Sequence, residues 1–146
     1  MNELLLIVTI AGSRVAFPAA RVESVVELDA LSPVPRAAAH VAGLSALRSR
    51  VLTVIDCQRS LELGATELGG LCEAAVVEVD GHHYALTVDA VEDVVEALSD
   101  PQPVRAAMIA GWERVGTGMI ETEEGPLLLV DIDGLIAGPP GDRAAA

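Results

Sequence analysis

Two stretches of this chain, VESVVEL at residues 22–28 and VEDVVEAL at residues 91–98, are nearly the same. At an offset of 69 the match extends upstream to twenty paired positions, of which eight are identical. Unrelated segments this rich in Val and Ala would share roughly two or three. A later pair, VLTVID ending at Asp56 and LLLVD ending at Asp131, agrees at an offset of 75. The chain therefore uses one supersecondary unit twice, with extra residues in the second copy.

The apolar segments of each copy are short and rich in β-branched residues. Hydrophobic residues make up 51% of the chain and aromatic residues only 2%, so Val, Leu, Ile and Ala have to fill the core. Val and Ile suit a pleated sheet better than a helix. The turns AGSR and DGHH predict a hairpin at the start of each copy, because Gly12 and Gly81 permit a positive φ. VESVVEL is predicted as a strand, since it is only seven residues long between turn-prone flanks.

Short strands without a long amphipathic helix predict an all-β chain with few short helices, folded as two small β-barrels in tandem. Closing each copy into a barrel would remove strand edges that would otherwise promote aggregation. Within this single domain the first subdomain is placed at about residues 4–60 and the second at about 73–136. A Gly-rich connector is placed at about 60–72 and a tail at 137–146.

The charge distribution argues against several classes of partner. The formal net charge is −13, with six Arg against five acids in residues 1–61 and three Arg against seventeen acids in residues 62–146. The chain has no Lys and no basic stripe that could follow a phosphate backbone, so nucleic acid is not expected as a partner. The apolar run at Leu4–Val8 is too short to cross a bilayer and lacks the features of a signal peptide. We expect a cytoplasmic protein without direct membrane insertion.

Four aspartates invite comparison with an acidic hydrolase: Asp56, Asp89, Asp131 and Asp133. Such an enzyme needs two carboxylates at a defined separation with their pKa values pushed apart. Asp56 and Asp131 occupy equivalent strand ends in the two copies, so a duplicated turn or cap is the simpler interpretation. No catalytic residue is therefore assigned.

The histidines and cysteines give no metal-binding pattern. His82 and His83 are neighbours on a predicted strand and face opposite ways, and no third ligand lies at a useful spacing. Cys57 and Cys72 form no CxxC pair and are expected to be small buried hydrophobic residues. We expect no metal and no other cofactor.

The stretch VAGLSALRSRVLTVID at residues 41–56 resembles the signature of CheW-like domains, the coupling modules of chemotaxis. In that signature a Gly, an apolar residue and a Leu-Arg-Gly turn lead into a strand that ends in Asp. The opening hairpin, the VxxV strand, LTVDAVEDVV, a Gly-rich turn at 116–118 and LLLVDIDGLI follow in the family order, so that the resemblance covers about Leu4–Ile136. It implies the CheW-like fold, two five-stranded Src-homology-like β-barrels that share a core.

The resemblance also implies a function and a set of site residues. The implied function is a non-enzymatic adaptor that couples the cytoplasmic tip of a methyl-accepting chemoreceptor to the regulatory domain of the histidine kinase CheA. Arg48 would lie on the surface that meets the receptor, and an Arg on a rigid loop offers five donors and an apolar stem. The implied binding turn comprises Gly43, Leu44, Leu47, Arg48 and Ser49. The implied coupling strand contains Val22, Glu23 and Ser24.

Some positions depart from the family pattern and keep two alternatives open. Ser49 stands where Gly is usual, Thr53 where Pro is common, and Cys57-Gln58 where Leu-Arg is usual. These departures leave room for a divergent CheW-like interaction module that serves another kinase or motility pathway. A small acidic hydrolase is the third hypothesis; it predicts two carboxylates close together, whereas the adaptor predicts one such group in each barrel.

Overall fold

The structure, a computed structural model, describes residues 3–28, 31–47, 49–65 and 72–140, and this part of the chain is mostly β. The first copy of the repeat contains β1 (Leu4–Ile10), β2 (Ser13–Pro18), β3 (Val22–Leu28), β4 (Val41–Leu47) and β5 (Arg50–Ile55). The second copy contains β6 (Cys72–Val79), β7 (His82–Val88), β8 (Ala90–Glu96), β9 (Gly116–Thr122) and β10 (Gly125–Val130). The short helices are α1 (Cys57–Ser60), α2 (Ala110–Val115) and α3 (Ile132–Ala137), and a 3-10 turn covers Ala19–Arg21. The predicted fold class is confirmed.

The two copies correspond strand by strand. β1, β2 and β3 match β6, β7 and β8 at the offset of 69, and β4 and β5 match β9 and β10 at the offset of 75. α1 and α3 follow the last strand of each copy, as the equivalence of Asp56 and Asp131 predicts. α2 lies in the longer loop of the second copy and has no counterpart among the described residues of the first.

Each sheet takes its strands from both copies. Sheet I has the order β8-β1-β2-β10-β9, and sheet II has the order β3-β6-β7-β5-β4. The hairpin of one copy thus pairs with the last three strands of the other copy. Two five-stranded sheets were expected, but the expectation that each copy closes its own barrel is wrong. The boundaries near residues 60 and 73 separate the two copies along the chain, but each sheet contains strands from both copies. Residues 66–71 of the connector and 141–146 of the tail lie outside the described residues.

Both sheets close into barrels by the same device. The segment that follows the third strand of each copy returns to the opposite edge of the sheet. In sheet II, Ser32 and Leu44 exchange two backbone hydrogen bonds of 2.9 and 2.8 Å. In sheet I, Gln102 and Met119 exchange an equivalent pair, both 2.8 Å long. We refer to the closed sheets as barrel I and barrel II.

The apolar runs fill three cores. Leu5 and Ile7 of β1 point into barrel I, whereas Leu6 and Val8 point into a core shared between the barrels. β6 divides its side chains in the same way between the interior of barrel II and the shared core. A strand buried on both faces needs apolar residues at consecutive positions, which explains runs such as LLLIV. The shared core is therefore lined by both copies.

The helices pack at one side of the shared core and tie the copies together. Arg114 of α2 donates hydrogen bonds to the carbonyl oxygens of Gly134 (2.6 Å) and Ser60 (2.7 Å). The Ser60 hydroxyl donates to the Leu135 carbonyl oxygen at 2.7 Å. None of the helices in the described ranges has the length and apolar character that a membrane span requires.

Candidate functional site

The implied binding turn and the implied coupling strand together form what we call the implied docking surface. Its described members all belong to barrel II. β3 carries Val22, Glu23 and Ser24, and the β4–β5 hairpin carries Gly43, Leu44, Leu47 and Ser49. Arg48 lies outside the described residues. β3 and β4 are the two edges of sheet II, and the Ser32–Leu44 pair brings those edges together. The fold thus brings the two sequence segments into one barrel.

Only part of this set is accessible to a partner. Glu23, Ser24 and Ser49 are exposed. Val22 is half-buried against the shared core, and Leu47 is half-buried against the interior of barrel II. Leu44 is also half-buried, and its backbone takes part in barrel closure. The exposed residues can contact a partner directly, whereas Val22, Leu44 and Leu47 pack in the barrel wall.

Gly43 is buried, and the backbone conformation at this position requires a glycine. Its φ is +153°, and a Cβ at this position would lie 2.7 Å from the carbonyl oxygen of Ser32. Gly118 is its equivalent in the second copy, with φ +150° and a Cβ position 2.9 Å from the carbonyl oxygen of Gln102. Both glycines let the closing segment approach the edge strand. The structural role of Gly43 is therefore explained without a partner.

A polar cluster, which we call mouth II, shares Glu23 with the implied docking surface and consists of Glu23, Arg50, Glu78 and His83. Arg50 Nη1 lies 3.2 Å from Glu23 Oε1. His83 Nε2 lies 3.4 Å from Glu23 Oε1 and 3.3 Å from Glu78 Oε2. Arg50 and His83 were not among the predicted site residues. Through side chains, Arg50 connects the β4–β5 hairpin to β3, and His83 connects β7 to β3 and β6.

Strand alternation explains why three of these groups, Arg50, Glu78 and His83, lie at the end of barrel II. Side chains two residues apart on a strand point to the same face. The positions two residues further into the strands from Arg50, Glu78 and His83 belong to the apolar interior of barrel II: Leu52, Val76 and Ala85. The polar groups therefore continue the inward-facing rows beyond the apolar interior, where water is accessible. The alternation along β5 could therefore have identified Arg50 from the sequence as an inward-facing residue at the end of the barrel.

The equivalent cluster in barrel I, mouth I, consists of Thr9, Arg14, Glu92 and Glu124. Arg14 Nε lies 3.0 Å from Glu92 Oε1, and Arg14 Nη2 lies 2.7 Å from Glu124 Oε1. The Thr9 hydroxyl donates to Glu92 Oε2 at 2.8 Å. Hydrogen bonds to Glu124 and then to Glu92 raise the pKa of the Arg14 guanidinium. Mouth I is thus held by a fixed positive charge between two carboxylates.

Exposed valines occupy matching places on the two edge strands. Val25 of β3 is 42% exposed and Val94 of β8 is 49% exposed, and the two are equivalent in the repeat. Val51, which follows Arg50 on β5, is 61% exposed. Val25 and Val51 give barrel II apolar surface near the implied docking turn. Residue type alone does not distinguish these exposed valines from buried ones, so the sequence did not predict them.

His83, without His82, lies in a group of three potential ligands that sequence spacing did not reveal. Glu23, Glu78 and His83 each present a ligand atom within 4.8 Å of the other two. They come from β3, β6 and β7, which are consecutive in sheet II. Sequence spacing missed the group because Glu23 is far from the other two along the chain. His82 is exposed at the hairpin tip.

The aspartates have structural partners. Asp56 is buried and its carboxylate accepts a hydrogen bond from the Arg59 N–H at 3.2 Å, capping α1. Asp89 accepts from the Gly12 N–H at 3.0 Å, and Asp133 pairs with Arg21 at 2.8 Å. Asp131 begins α3 at the position equivalent to Asp56. Both aspartates therefore occupy the N-cap position of a helix, but only the Asp56 side chain accepts a capping hydrogen bond, so the predicted duplicated cap is found in position and not in the side-chain contact.

Comparison with known proteins identifies the family. The sequence profile of the CheW-like domain matches residues 4–139. Among solved structures, the scaffolding protein TtCheW from Thermoanaerobacter tengcongensis is similar, with a TM-score of 0.75 and 19% sequence identity over 92% of this chain and 88% of that chain. A comparison with curated protein sequences gives no match. The family match extends from β1 to the end of α3, and on this evidence the chain belongs to the CheW-like domain family, whose members are non-enzymatic scaffold proteins.

Proposed function

We propose that this protein is a chemotaxis adaptor that couples a chemoreceptor tip to the regulatory domain of a CheA-type kinase in the cytoplasm. The family match supports a scaffold in chemotaxis. The main observation in support of the proposed docking surface is that the two implied segments, β3 and the β4–β5 hairpin, lie in one barrel.

The exposed side chains of barrel II are suited to a protein partner. Val25 and Val51 provide apolar area, while Glu23, Ser24 and Ser49 provide polar atoms beside it. A typical interface combines a small apolar centre with a polar rim. Arg48 would add a guanidinium with five donors at the turn between β4 and β5. A helical receptor tip that offers apolar and acidic side chains would fit this combination.

The proposed mechanism is mechanical and electrostatic. A closed barrel presents the turn and β3 with little loss of conformational entropy on binding, because the backbone is already ordered. The three cores and the Arg114 hydrogen bonds join both barrels into one body. A partner bound to barrel II is therefore held at a fixed position relative to one bound elsewhere, and receptor conformation can alter kinase activity without chemistry in the adaptor.

The test is calorimetric titration with the two partners from the same cell, a receptor-tip fragment and the kinase regulatory domain. We expect both to bind the wild-type chain. Arg48→Glu should weaken receptor binding by about tenfold or more, as expected for a charge reversal at an interface hot spot. Arg105→Glu is the matched control, because Arg105 is exposed in the long loop of the second copy.

Two results would contradict the proposal in different ways. If neither partner binds, the coupling function is wrong, and the departures at Ser49, Thr53 and Cys57-Gln58 then favour another kinase or motility pathway. If the receptor binds but Arg48→Glu and Arg105→Glu have equal effects, the function stands and the assigned surface is wrong.

A further inference from the structure

We propose that mouth II is a binding site for a divalent metal ion of the zinc class, with His83 Nε2 and the carboxylates of Glu23 and Glu78 as ligands. This proposal goes beyond the adaptor function and does not depend on it. It rests on the convergence of the three side chains from β3, β6 and β7.

The separations between the ligand atoms suit a tetrahedral ion. Zn²⁺ binds imidazole nitrogen and carboxylate oxygen at about 2.0–2.2 Å, which places neighbouring ligands of a tetrahedron about 3.4 Å apart. His83 Nε2 lies 3.4 Å from Glu23 Oε1 and 3.3 Å from Glu78 Oε2. All three ligand atoms lie within 4.8 Å of one another. A water molecule would complete the fourth position, since both glutamates are exposed to solvent.

The equivalent place in barrel I supports a cation at this position. There, Arg14 holds a fixed positive charge between the carboxylates of Glu92 and Glu124. Arg14 and His83 are equivalent in the repeat, as are Glu92 and Glu23. Barrel II therefore also has two carboxylates facing one nitrogen group, although its second carboxylate, Glu78, is equivalent to Thr9 and not to Glu124. In place of the permanent cation it has an imidazole, which is a metal ligand when neutral.

The donor set indicates which ions would bind. An imidazole with two carboxylates suits Zn²⁺, Ni²⁺ or Co²⁺, whereas Mg²⁺ and Ca²⁺ prefer oxygen donors alone. Arg50 is a built-in competitor, because its Nη1 lies 3.2 Å from the same oxygen of Glu23 that faces His83. A bound ion would displace Arg50 from Glu23 and hold β3 against β6 and β7.

The experiment is a titration of the full chain with ZnCl₂ at about pH 7.5, because protons compete with a metal ion for imidazole and carboxylate ligands. Binding is followed by calorimetry and by the side-chain nitrogen resonances of the three histidines. His83→Gln removes the imidazole, and His82→Gln is the matched control on the neighbouring exposed residue. Both are made in a Cys72→Ser background, so that this half-buried thiol does not contribute a ligand.

We expect one Zn²⁺ per chain, a shift of the His83 Nε2 resonance, and a rise in melting temperature with added zinc. Changes outside the ligand set already alter metal affinity 10- to 100-fold, so His83→Gln should weaken binding by at least about tenfold. His82→Gln should leave affinity unchanged. Arg50→Gln should tighten binding, which tests the site even where His83→Gln lowers folding. Absence of binding, retention of full affinity in His83→Gln, or a shift at His82 instead of His83 would overturn the proposal.

Discussion

At the mouth of barrel I, Arg14 lies between Glu92 and Glu124, whereas at the mouth of barrel II the equivalent nitrogen group is His83, between Glu23 and Glu78. The apolar walls below these clusters lie largely at equivalent positions of the repeat, although the residues there differ in size, as Leu5 and Ala74 do. Ala16 and Ala85 occupy equivalent interior positions in the two barrels. Packing constrains the wall positions because a change in volume is felt throughout a close-packed core. The mouths meet water and are free to differ.

The second difference between the copies is α2, which uses the extra residues of the second copy. Gly111 of α2 lies so close to α1 that an added Cβ would overlap the carbonyl oxygen of Leu61. The docking of α2 on the first copy therefore depends on a residue without a side chain.

The largest predicted effect follows from this contact. Gly111→Ala should lower the free energy of unfolding by about 3 kcal/mol or more, because the neighbour is backbone and has to move. Gly134→Ala is the control in α3, where the nearest atoms would lie 3.2 Å or more away and belong to side chains. Urea denaturation of both variants measures the difference. Equal stability of the two variants would contradict the close packing of α2 against Leu61.

A smaller effect is predicted at barrel closure, where the two barrels should behave alike. Gly43→Ala and Gly118→Ala should each lower the free energy of unfolding by roughly 1–3 kcal/mol, since both place a Cβ against a carbonyl oxygen at a positive φ. Urea denaturation of the pair provides the comparison. A normal stability for Gly43→Ala, combined with lost partner binding, would show that Gly43 acts at an interface and not in closure.

The hairpins and the strand assignment of VESVVEL were accessible from sequence because they depend on short-range patterns. The repeat was accessible because its two copies share identical residues at a constant offset. Asp80 and Gly81 have φ values of +51° and +82°, as the DG signal predicts. The exchange of strands between copies was not accessible, since either partner would satisfy the backbone hydrogen bonds of an apolar strand. Mouth II was missed for a related reason: its side chains come from β3, β5, β6 and β7.

The smallest predicted effect concerns the thiols. Cys57 occupies the place of Ile132 in the repeat, and both are buried. Burial, followed by the charge of Asp56, raises the pKa of the Cys57 thiol, and burial also raises the pKa of Cys72. Because a raised pKa keeps a thiol protonated as pH increases, both should react with a disulfide reagent at about pH 8 more slowly than a free cysteine. Cys72 should react before Cys57, and both should react quickly in urea.

If Cys57 in the native chain reacted as fast as free cysteine, it would not be buried as its equivalent Ile132 is. The wild-type chain and a Cys72→Ser variant, followed by absorbance under native and denaturing conditions, separate the two thiols.

The central claim is that partners dock on barrel II through β3 and the β4–β5 hairpin. The most direct measurement is the affinity of a receptor-tip fragment for Val25→Glu and Val94→Glu, two equivalent exposed valines on β3 and β8. We predict about tenfold or greater weakening for Val25→Glu, because a charge would replace apolar contact area, and an almost unchanged affinity for Val94→Glu. Equal losses in the two variants, or a larger loss for Val94→Glu, would contradict it.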